Sequence, residues 1–362
     1  MNKLKSLEII KAKSRISSID VFRGLAIIPV VIYHFNGFLP FGYLGVDLFF
    51  VISGLLVGGI LIRKFQRNEK VNFWHFILQR GFKIWPSYYW FLIFGSLLAY
   101  VFYSVDRPDY LIKGGSDALR YIFFYQNYTG APYHWPFDHI WSLCIEEHFY
   151  ILFPLMIMFI MFFFGNKSKV LLVFVCGLIL AGIIFKFISF YFTNSKDTYA
   201  GTHARLDALG WGVLLGILIT YHEAYFKKIK NLPILFILGV ILFTINILLF
   251  IFWGNTNFEK MVFHSVTPIC FFLMLLGVYF IDFSKWLHLR FIAYYSYNWY
   301  LWHPMFVFIC VKYFGINWLS LMIYMIVSFL TAMVFTILVE EKFLNMRERV
   351  IGSLFKRRNQ LT

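Results

Sequence analysis

Ten apolar segments of about 20 residues recur along the chain, and they restrict its fold more than any other feature. A helix of this length rises about 30 Å, which is the thickness of a bilayer's hydrocarbon core. Of the 362 residues 60% are hydrophobic and only 14% are charged, whereas soluble domains are about 25% charged. We therefore predict an all-α, polytopic membrane helix bundle of about 10 transmembrane helices. The predicted spans are 20–39, 43–62, 84–103, 141–164, 170–192, 204–221, 232–253, 261–281, 294–314 and 317–339.

Basic residues are concentrated in alternate connections between these spans. Because cytosolic loops of membrane proteins are rich in Lys and Arg, this alternation predicts that both termini are cytosolic and that 104–140 is external. The same rule explains the net charge of +15 without nucleic-acid binding. The predicted cytosolic basic regions are the N-terminal tail, 63–83, 167–169, 227–230, 285–290 and the C-terminal tail.

The remaining segments suggest a single domain without a cleavable signal peptide. Residues 118–126 are apolar but too short to cross, which predicts a short re-entrant or interfacial helix on the outer side. We assign 1–17 as a cytosolic basic N-terminal tail, 18–340 as the transmembrane domain and 341–362 as a cytosolic basic C-terminal tail. The four cysteines lie in apolar segments without metal-ligand spacing, so we expect them to be buried, with no disulfide and no metal site.

The first two spans carry ionisable residues, which are costly in a membrane and usually functional. Asp20 and Arg23 are three residues apart and can pair, while Arg23 and His34 are about three turns apart and share a stripe. Asp47 lies near the start of the second span. A plainer interpretation is an Asp–Arg pair that orients the helix start, together with one satisfied histidine.

The fourth span begins with Glu146, Glu147 and His148 within one turn. A carboxylate beside a histidine in a low-dielectric site is a plausible base and orienting pair. Neighbouring residues on a helix differ by about 100°, so only one glutamate is expected to face the bundle. The alternative is that all three side chains extend to the outer membrane interface, and the roles of Glu147 and His148 stay open.

Arg80 and Lys83 lie one turn apart at the cytosolic start of the third span. Two cations on one helix face suit a polyanionic ligand, such as the phosphates of a nucleotide-type carrier. Ordinary anchoring of the helix end by basic residues is the commoner explanation for such a pair.

Two later spans carry further polar groups. His203 and Asp207 are four residues apart at the start of the sixth span and can touch, with Arg205 between them. Tyr300 and His303 share a face of the ninth span, where a histidine is either functional or satisfied within the core.

Together these blocks resemble acyltransferase family 3, the membrane-bound O-acyltransferases of envelope glycans, over nearly the whole chain. The family's D-x-x-R-G-x-A start with its following histidine corresponds to Asp20, Arg23, Gly24, Ala26 and His34. The second-helix signature corresponds to Gly42, Gly45, Val46, Phe49, Phe50, Ser53 and Gly54. The later blocks correspond to Trp141, Ser142, Leu143, Glu146, Phe149 and Tyr150; to Arg205, Asp207, Ala208 and Leu209; and to Ser296, Tyr297, Tyr300, Leu301 and His303.

The resemblance implies transfer of an acyl group, usually acetyl, from acyl-coenzyme A to a sugar hydroxyl. It implies no bound cofactor and a location in the bacterial cytoplasmic (inner) membrane. Some relatives carry an additional esterase-like domain, and this chain resembles the stand-alone subgroup, which acylates lipopolysaccharide O-antigen and other lipid-linked or exported glycans. The family's cytosolic R-x-x-R is Arg80-x-x-Lys83 here, and lysine lacks the bidentate fork of arginine.

The resulting hypothesis assigns His34 as general base, Glu146 as its orienting group and Arg23 as a guide for the donor, whose phosphates Arg80 and Lys83 hold. The expected supporting residues are Asp20, Asp47, Ser53, Trp141, Ser142, Arg205, Asp207, Tyr300 and His303. One alternative is a transporter or flippase for an envelope glycan or a small acidic solute, which predicts an internal repeat that we do not find. A further alternative is a structural subunit of an envelope assembly, which predicts no inward-facing stripe of charged residues.

Overall fold

The computed structural model describes residues 16–103, 112, 114–128, 136–192, 199–254 and 256–358. The basic N-terminal tail up to residue 15 and most of the 104–113 segment lie outside these ranges. Within them the chain is helical, with connecting turns. The helices are α1 Ser17–His34, α2 Gly45–Gln66, α3 Phe73–Tyr103, α4 Gly114–Ile122, α5 Trp141–Phe164, α6 Ser168–Phe192, α7 Leu206–Lys228, α8 Ile234–Trp253, α9 Asn257–Val278, α10 Leu287–Trp302, α11 Pro304–Phe314, α12 Trp318–Phe335 and α13 Glu341–Arg358.

The polytopic helical architecture predicted from the sequence is confirmed. Among the described residues, nine helical stretches are long and apolar enough to cross a membrane. The ninth predicted span, 294–314, is instead two helices, α10 and α11, which meet at His303 and Pro304. Pro304 has no backbone N–H to donate to the preceding turn, so the helical hydrogen-bond ladder is interrupted there.

The two largest differences between predicted and observed helix boundaries concern α3 and the last span. Helix α3 begins at Phe73 rather than at 84, because the residues before 84, which mix apolar side chains with Gln79, Arg80 and Lys83, are already helical. The last span does not end at 339: a π-helical turn, Thr336–Glu340, leads directly into α13. Much of the segment assigned as a C-terminal tail is therefore a continuous extension of the last span.

Helices α2 and α7 pack with their backbones in close contact because glycine lies on both sides of the contact. A Cβ atom on Gly54 would collide with the carbonyl oxygen of Leu209, and one on Gly212 would collide with that of Val51. Small residues of this kind allow membrane helices to approach closely. The contact places the start of α2 beside the start of α7, where the buried charges described below meet.

The peripheral helices expose apolar side chains, as expected for surfaces that face lipid. Helix α8 has the highest hydropathy of the nine candidate spans, and only 11% of its most apolar window is buried within the protein. Cys176 on α6 is also exposed, which corrects the expectation that every cysteine is buried, whereas Cys144, Cys270 and Cys310 are buried.

The predicted short helix on the connection between α3 and α5 is present as α4. It occupies Gly114–Ile122, four residues earlier than predicted. The hydroxyl groups of Tyr88 and Tyr89 on α3 donate hydrogen bonds to the carbonyl oxygens of Tyr121 and Ile122 at its end. These bonds attach the end of α4 to α3.

Candidate active site

A cavity of about 680 Å³ lies where α1 ends and α2 begins. The turn before α5, the segment before α7, the first half of α9 and Tyr300 on α10 complete its walls. Polar and aromatic side chains dominate the lining, which consists of Tyr33, His34, Gly37, Tyr43, Val46, Asp138, His139, Trp141, Tyr199, Ala200, His264 and Tyr300. We call this space the outer cavity, because the sequence analysis predicts that the end of α1 lies on the external side.

His34 enters the outer cavity from the last turn of α1. Its Nδ1 atom lies 2.8 Å from the carbonyl oxygen of Val30. Since a carbonyl oxygen only accepts hydrogen bonds, Nδ1 carries the proton of the neutral imidazole. The lone pair then resides on Nε2, which is the nitrogen that can take up a proton.

His303 repeats this arrangement next to His34. Its Nδ1 lies 3.0 Å from the carbonyl oxygen of Trp299, and the two imidazole centroids are 4.8 Å apart. His303 is fully buried, and its Nε2 has no hydrogen-bond partner among the described residues. His303, from the ninth predicted span, therefore packs against His34, from the first predicted span.

His139 joins this pair and was not identified from the sequence. Its ring centroid is 5.3 Å from that of His303 and 6.3 Å from that of His34. The signal available was its position two residues before Trp141, at the end of a proline-rich connection. Although three imidazoles lie close together, the described residues include no group of three or more His, Cys, Asp or Glu side chains arranged to hold a metal ion.

Tyr300 separates the outer cavity from a second, smaller one. Its hydroxyl donates to the carbonyl oxygen of His139 and lies 2.6 Å from the hydroxyl of Ser142, which is then the donor in that pair. The second cavity, the inner cavity, has a volume of about 90 Å³. Val46 and Tyr300 line both cavities, and the inner lining also contains Arg23, Phe49, Phe50, Ser142, Leu143, Glu146, Ser296 and Tyr297.

Glu146 lines the inner cavity, whereas His34 lines the outer one. The Glu146 carboxylate accepts a 2.8 Å hydrogen bond from the hydroxyl of Tyr150, which lies 3.0 Å from the hydroxyl of Ser53. Arg23 lines the same cavity as Glu146, and Arg80 lies beside the ring of Tyr150. The structure thus groups Glu146 with Ser53 and two arginines, rather than placing it against His34.

The two basic residues of α3 have different partners. The guanidinium group of Arg80 lies 5.8 Å from the centroid of the ring of Tyr150, whose hydroxyl binds the Glu146 carboxylate. Lys83 forms an ion pair with Glu340 in the π-helical turn of the last span. The sequence analysis predicted that Arg80 and Lys83 together bind the phosphates of the donor. In the structure Lys83 is already bound to the carboxylate of Glu340.

Asp20 and Arg23 also contact α10. Asp20 Oδ2 lies 3.6 Å from Arg290 Nε, and Arg23 donates a 3.4 Å hydrogen bond to the hydroxyl of Ser296. Asp20 therefore lies in an ion pair between α1 and α10. Arg23, one turn further along α1, lines the inner cavity.

Two buried ion pairs lie beside the outer cavity. Arg205 Nη1 is 2.8 Å from Asp47 Oδ1, and Lys186 Nζ is 2.5 Å from Asp207 Oδ2. The sequence analysis identified three of these residues but missed Lys186. The expected contact between His203 and Asp207 is wrong, because 202–205 form a 3₁₀ turn that rotates His203 away, toward Ser189 and Tyr128.

Glu147 and His148, whose roles the sequence left open, are outside the linings of both cavities. Glu147 accepts a 3.2 Å hydrogen bond from the indole of Trp85, and His148 Nδ1 lies 2.7 Å from the hydroxyl of Thr202. These contacts join α5 to α3 and to the segment before α7.

Comparison with known proteins assigns the chain to a family. The family model described as "Acyltransferase domain" matches residues 16–340. The chain belongs to acyltransferase family 3. The matched range contains the linings of both cavities and every site residue predicted above. Membership of this family favours an acyltransferase over the alternative of a transporter.

Curated relatives of this acyltransferase-family chain carry names of the same kind. The chain is similar to O-acetyltransferase OatA of Staphylococcus aureus strain NCTC 8325, with 30% identity over 91% of this chain and 57% of that protein. It is also similar to the putative O-acetyltransferase SACOL0978 of S. aureus strain COL, with 28% identity over 84% of this chain and 52% of that protein. The chain thus spans somewhat more than half the length of these relatives. No solved structure matches it.

Proposed function

We propose that this membrane protein transfers an acetyl group from acetyl-coenzyme A to a hydroxyl group of a cell-envelope glycan. The observation that carries the proposal is the position of His34 in a polar cavity, with Nδ1 held by the Val30 carbonyl and Nε2 as the basic nitrogen. An alcohol is a weak nucleophile, and a positioned base accelerates its attack about 10²–10⁴-fold.

In the proposed reaction His34 Nε2 removes the proton from the acceptor hydroxyl as its oxygen attacks the thioester carbonyl carbon. The tetrahedral intermediate collapses with cleavage of the carbon–sulfur bond. The departing thiolate then takes the proton from the imidazolium, which regenerates neutral His34. His303, packed against His34 with its own Nδ1 bound to the Trp299 carbonyl, supports the imidazole from behind.

The donor approaches from the cytosolic side in this account. Arg23 and Arg80 provide positive charge near the inner cavity, which suits the phosphates of coenzyme A. Arg23 and His34 are eleven residues apart on α1, or about 16 Å along the axis. The extended arm of the donor would therefore pass the inner cavity and present the thioester near Tyr300.

The acceptor sugar occupies the outer cavity in this account. The rings of Tyr43, Trp141 and Tyr199 offer flat apolar surfaces, and Asp138 and His139 offer hydrogen-bonding groups. Concave sites that combine such surfaces with a few polar groups are typical of small-molecule recognition. O-antigen and other lipid-linked or exported glycans are the acceptors that we consider first.

The proposal includes a location in the bacterial cytoplasmic membrane with both termini in the cytosol. This orientation gives the inner cavity access to cytosolic acyl-coenzyme A and opens the outer cavity toward the envelope. The alternating basic loops support it.

The test compares envelope polysaccharide from bacteria with and without the gene by mass spectrometry, and follows labelled acetyl transfer by the purified protein. We expect a glycan fragment that carries an acetyl mass increment only when the gene is present. Identical glycans in both strains, together with no transfer by purified protein, would contradict the proposal.

A further inference from the structure

Tyr199 and His264 line the outer cavity and do not belong to any of the family's sequence blocks. A series of ring contacts leads from His34 through Tyr33 and Tyr43 to these two residues, with centroids 5.3, 5.2 and 5.8 Å apart as far as Tyr199. Two tyrosine rings therefore separate this wall from the basic nitrogen of His34. We call Tyr199 and His264 the distal wall.

His264 carries one buried polar atom, Nδ1, that the described part of the protein does not bind. Its side chain lines the cavity and the residue is only 7% exposed, yet Nδ1 has no hydrogen-bond partner among the described residues. Its ring packs against Tyr199 with centroids 4.9 Å apart. A buried polar atom without a partner costs stability, and a ligand hydroxyl would satisfy it.

The two buried ion pairs hold the distal wall in place. Arg205 lies with its guanidinium carbon 3.6 Å from the centroid of the Tyr199 ring and donates a 2.8 Å hydrogen bond to the Tyr199 carbonyl. The Tyr199 hydroxyl donates to Asp47 at 3.3 Å. Lys186 donates to the His264 carbonyl at 2.8 Å while bound to Asp207.

These four charged residues are at most 1% exposed, and none of them lines the outer cavity. Four ionised side chains at membrane depth are costly, and an apolar core would be as stable or more so. Their contacts with Tyr199 and His264 provide a reason for their presence, because charged hydrogen bonds fix both residues more tightly than apolar packing would.

We propose that the distal wall binds the sugar unit adjacent to the one that is acylated, and that Lys186 is a positioning residue for His264. This inference rests on the proposed function. It makes Tyr199 and His264 determinants of acceptor specificity, distinct from the groups that act on the donor. The ligand class is a neutral oligosaccharide of at least two units.

The first arm of the test measures sugar binding without any donor. In a Cys176→Ser background, where the remaining cysteines are buried, His264→Cys is exposed to a charged methanethiosulfonate reagent. Ser265→Cys is the control, since Ser265 is on the same helix at a similar depth and is not part of the cavity lining. We expect maltose, cellobiose, chitobiose or N-acetyllactosamine to slow labelling of His264→Cys and to leave labelling of Ser265→Cys unchanged.

The second arm measures acetyl transfer to the same four disaccharides. The loss of one hydrogen bond in His264→Ala should raise the KM for the sugar about 2–12-fold, with the KM for acetyl-coenzyme A unchanged. Lys186→Met combined with Asp207→Asn removes a buried pair without leaving a lone charge, and it should also raise the KM for the sugar. A merely structural role would lower the amount of folded protein and leave both KM values unchanged.

The outcomes separate this inference from the proposed function. If the wild-type protein acetylates a disaccharide that neither slows labelling of His264→Cys nor shows an altered KM in His264→Ala, the distal wall is not a sugar site and the proposed function stands. If the wild-type protein acetylates none of the four sugars and none slows labelling of His264→Cys, both proposals are wrong for neutral oligosaccharides.

Discussion

Lys83 and Glu340 form an ion pair that joins α3 to the π-helical turn of the last span. Glu340 is only 3% exposed, and its second oxygen accepts a 2.8 Å hydrogen bond from Asn298 on α10. Three helical segments therefore meet at one buried carboxylate. The wider turn of a π-helix is often found at functional sites, and here it directs this carboxylate inward.

Neutralising Lys83 should destabilise the protein because it leaves Glu340 buried without its cation. We expect Lys83→Met to lower the free energy of unfolding by about 1.5–3 kcal/mol, nearer the lower value because the lysine is partly exposed. Lys83→Arg should retain the pair. Thermal unfolding of detergent-purified protein measures the difference.

The double variant Lys83→Met with Glu340→Gln provides the control for this prediction. Removing both charges should recover most of the stability lost in Lys83→Met, since no charge is left buried alone. A double variant no more stable than Lys83→Met would show that the ion pair is not what stabilises this junction.

Arg80 is the residue of α3 whose loss should affect the donor. One charge-assisted contact is worth about 1.5–3 kcal/mol, so Arg80→Ala should raise the apparent dissociation constant of acetyl-coenzyme A about 10–150-fold. Arg80→Lys should have a smaller effect, because a lysine keeps the charge without the bidentate geometry. The measurement is the dependence of transfer on donor concentration at saturating acceptor. An unchanged donor curve at equal protein level would mean that Arg80 only anchors α3.

The sequence predicts the helical bundle well because hydropathy reports segment length directly. Hydropathy does not report the partner of a polar side chain, which depends on helix rotation and packing. Arg80 and Lys83 share a stripe in the sequence, yet they contact α5 and the last span respectively. Glu340 was missed because it lies at the predicted boundary between span and tail.

Lys186 and His139 were missed for different physical reasons. Lys186 is one charge within a strongly apolar span, so averaging over the segment conceals it, although an ionisable residue in a span is itself a signal. His139 lies in a connection without periodicity, where spacing predicts no contact. His34 was identified because its charge stripe and its position in the family block agree.

The close contact between α2 and α7 should not tolerate a methyl group. We expect Gly54→Ala to reduce the yield of folded, monodisperse protein, since its Cβ would meet the Leu209 carbonyl. Gly177→Ala on α6 is the matched control, because the space around Gly177 is open and alanine is the better helix former. Fluorescence-detected size-exclusion chromatography compares the two. Equal profiles would contradict the close packing of these helices.

The proposed orientation predicts which loops are accessible from outside the cell. In the Cys176→Ser background, Leu39→Cys, at an exposed position, should react with an impermeant maleimide in intact cells. Asn68→Cys, in the basic connection between α2 and α3, should react only after permeabilisation. The reverse pattern would invert the topology and place the outer cavity in the cytosol.

The most direct test of the account is the rate of acetyl transfer by purified His34→Ala and His34→Gln. His288→Ala, which alters an exposed histidine at the start of α10, serves as the control for the loss of an imidazole. We predict that both His34 variants bind acetyl-coenzyme A as the wild-type protein does and transfer acetyl about 10²–10⁴-fold more slowly, while the control transfers it normally. Transfer at the wild-type rate by folded His34→Ala would contradict the assignment of His34 as the base.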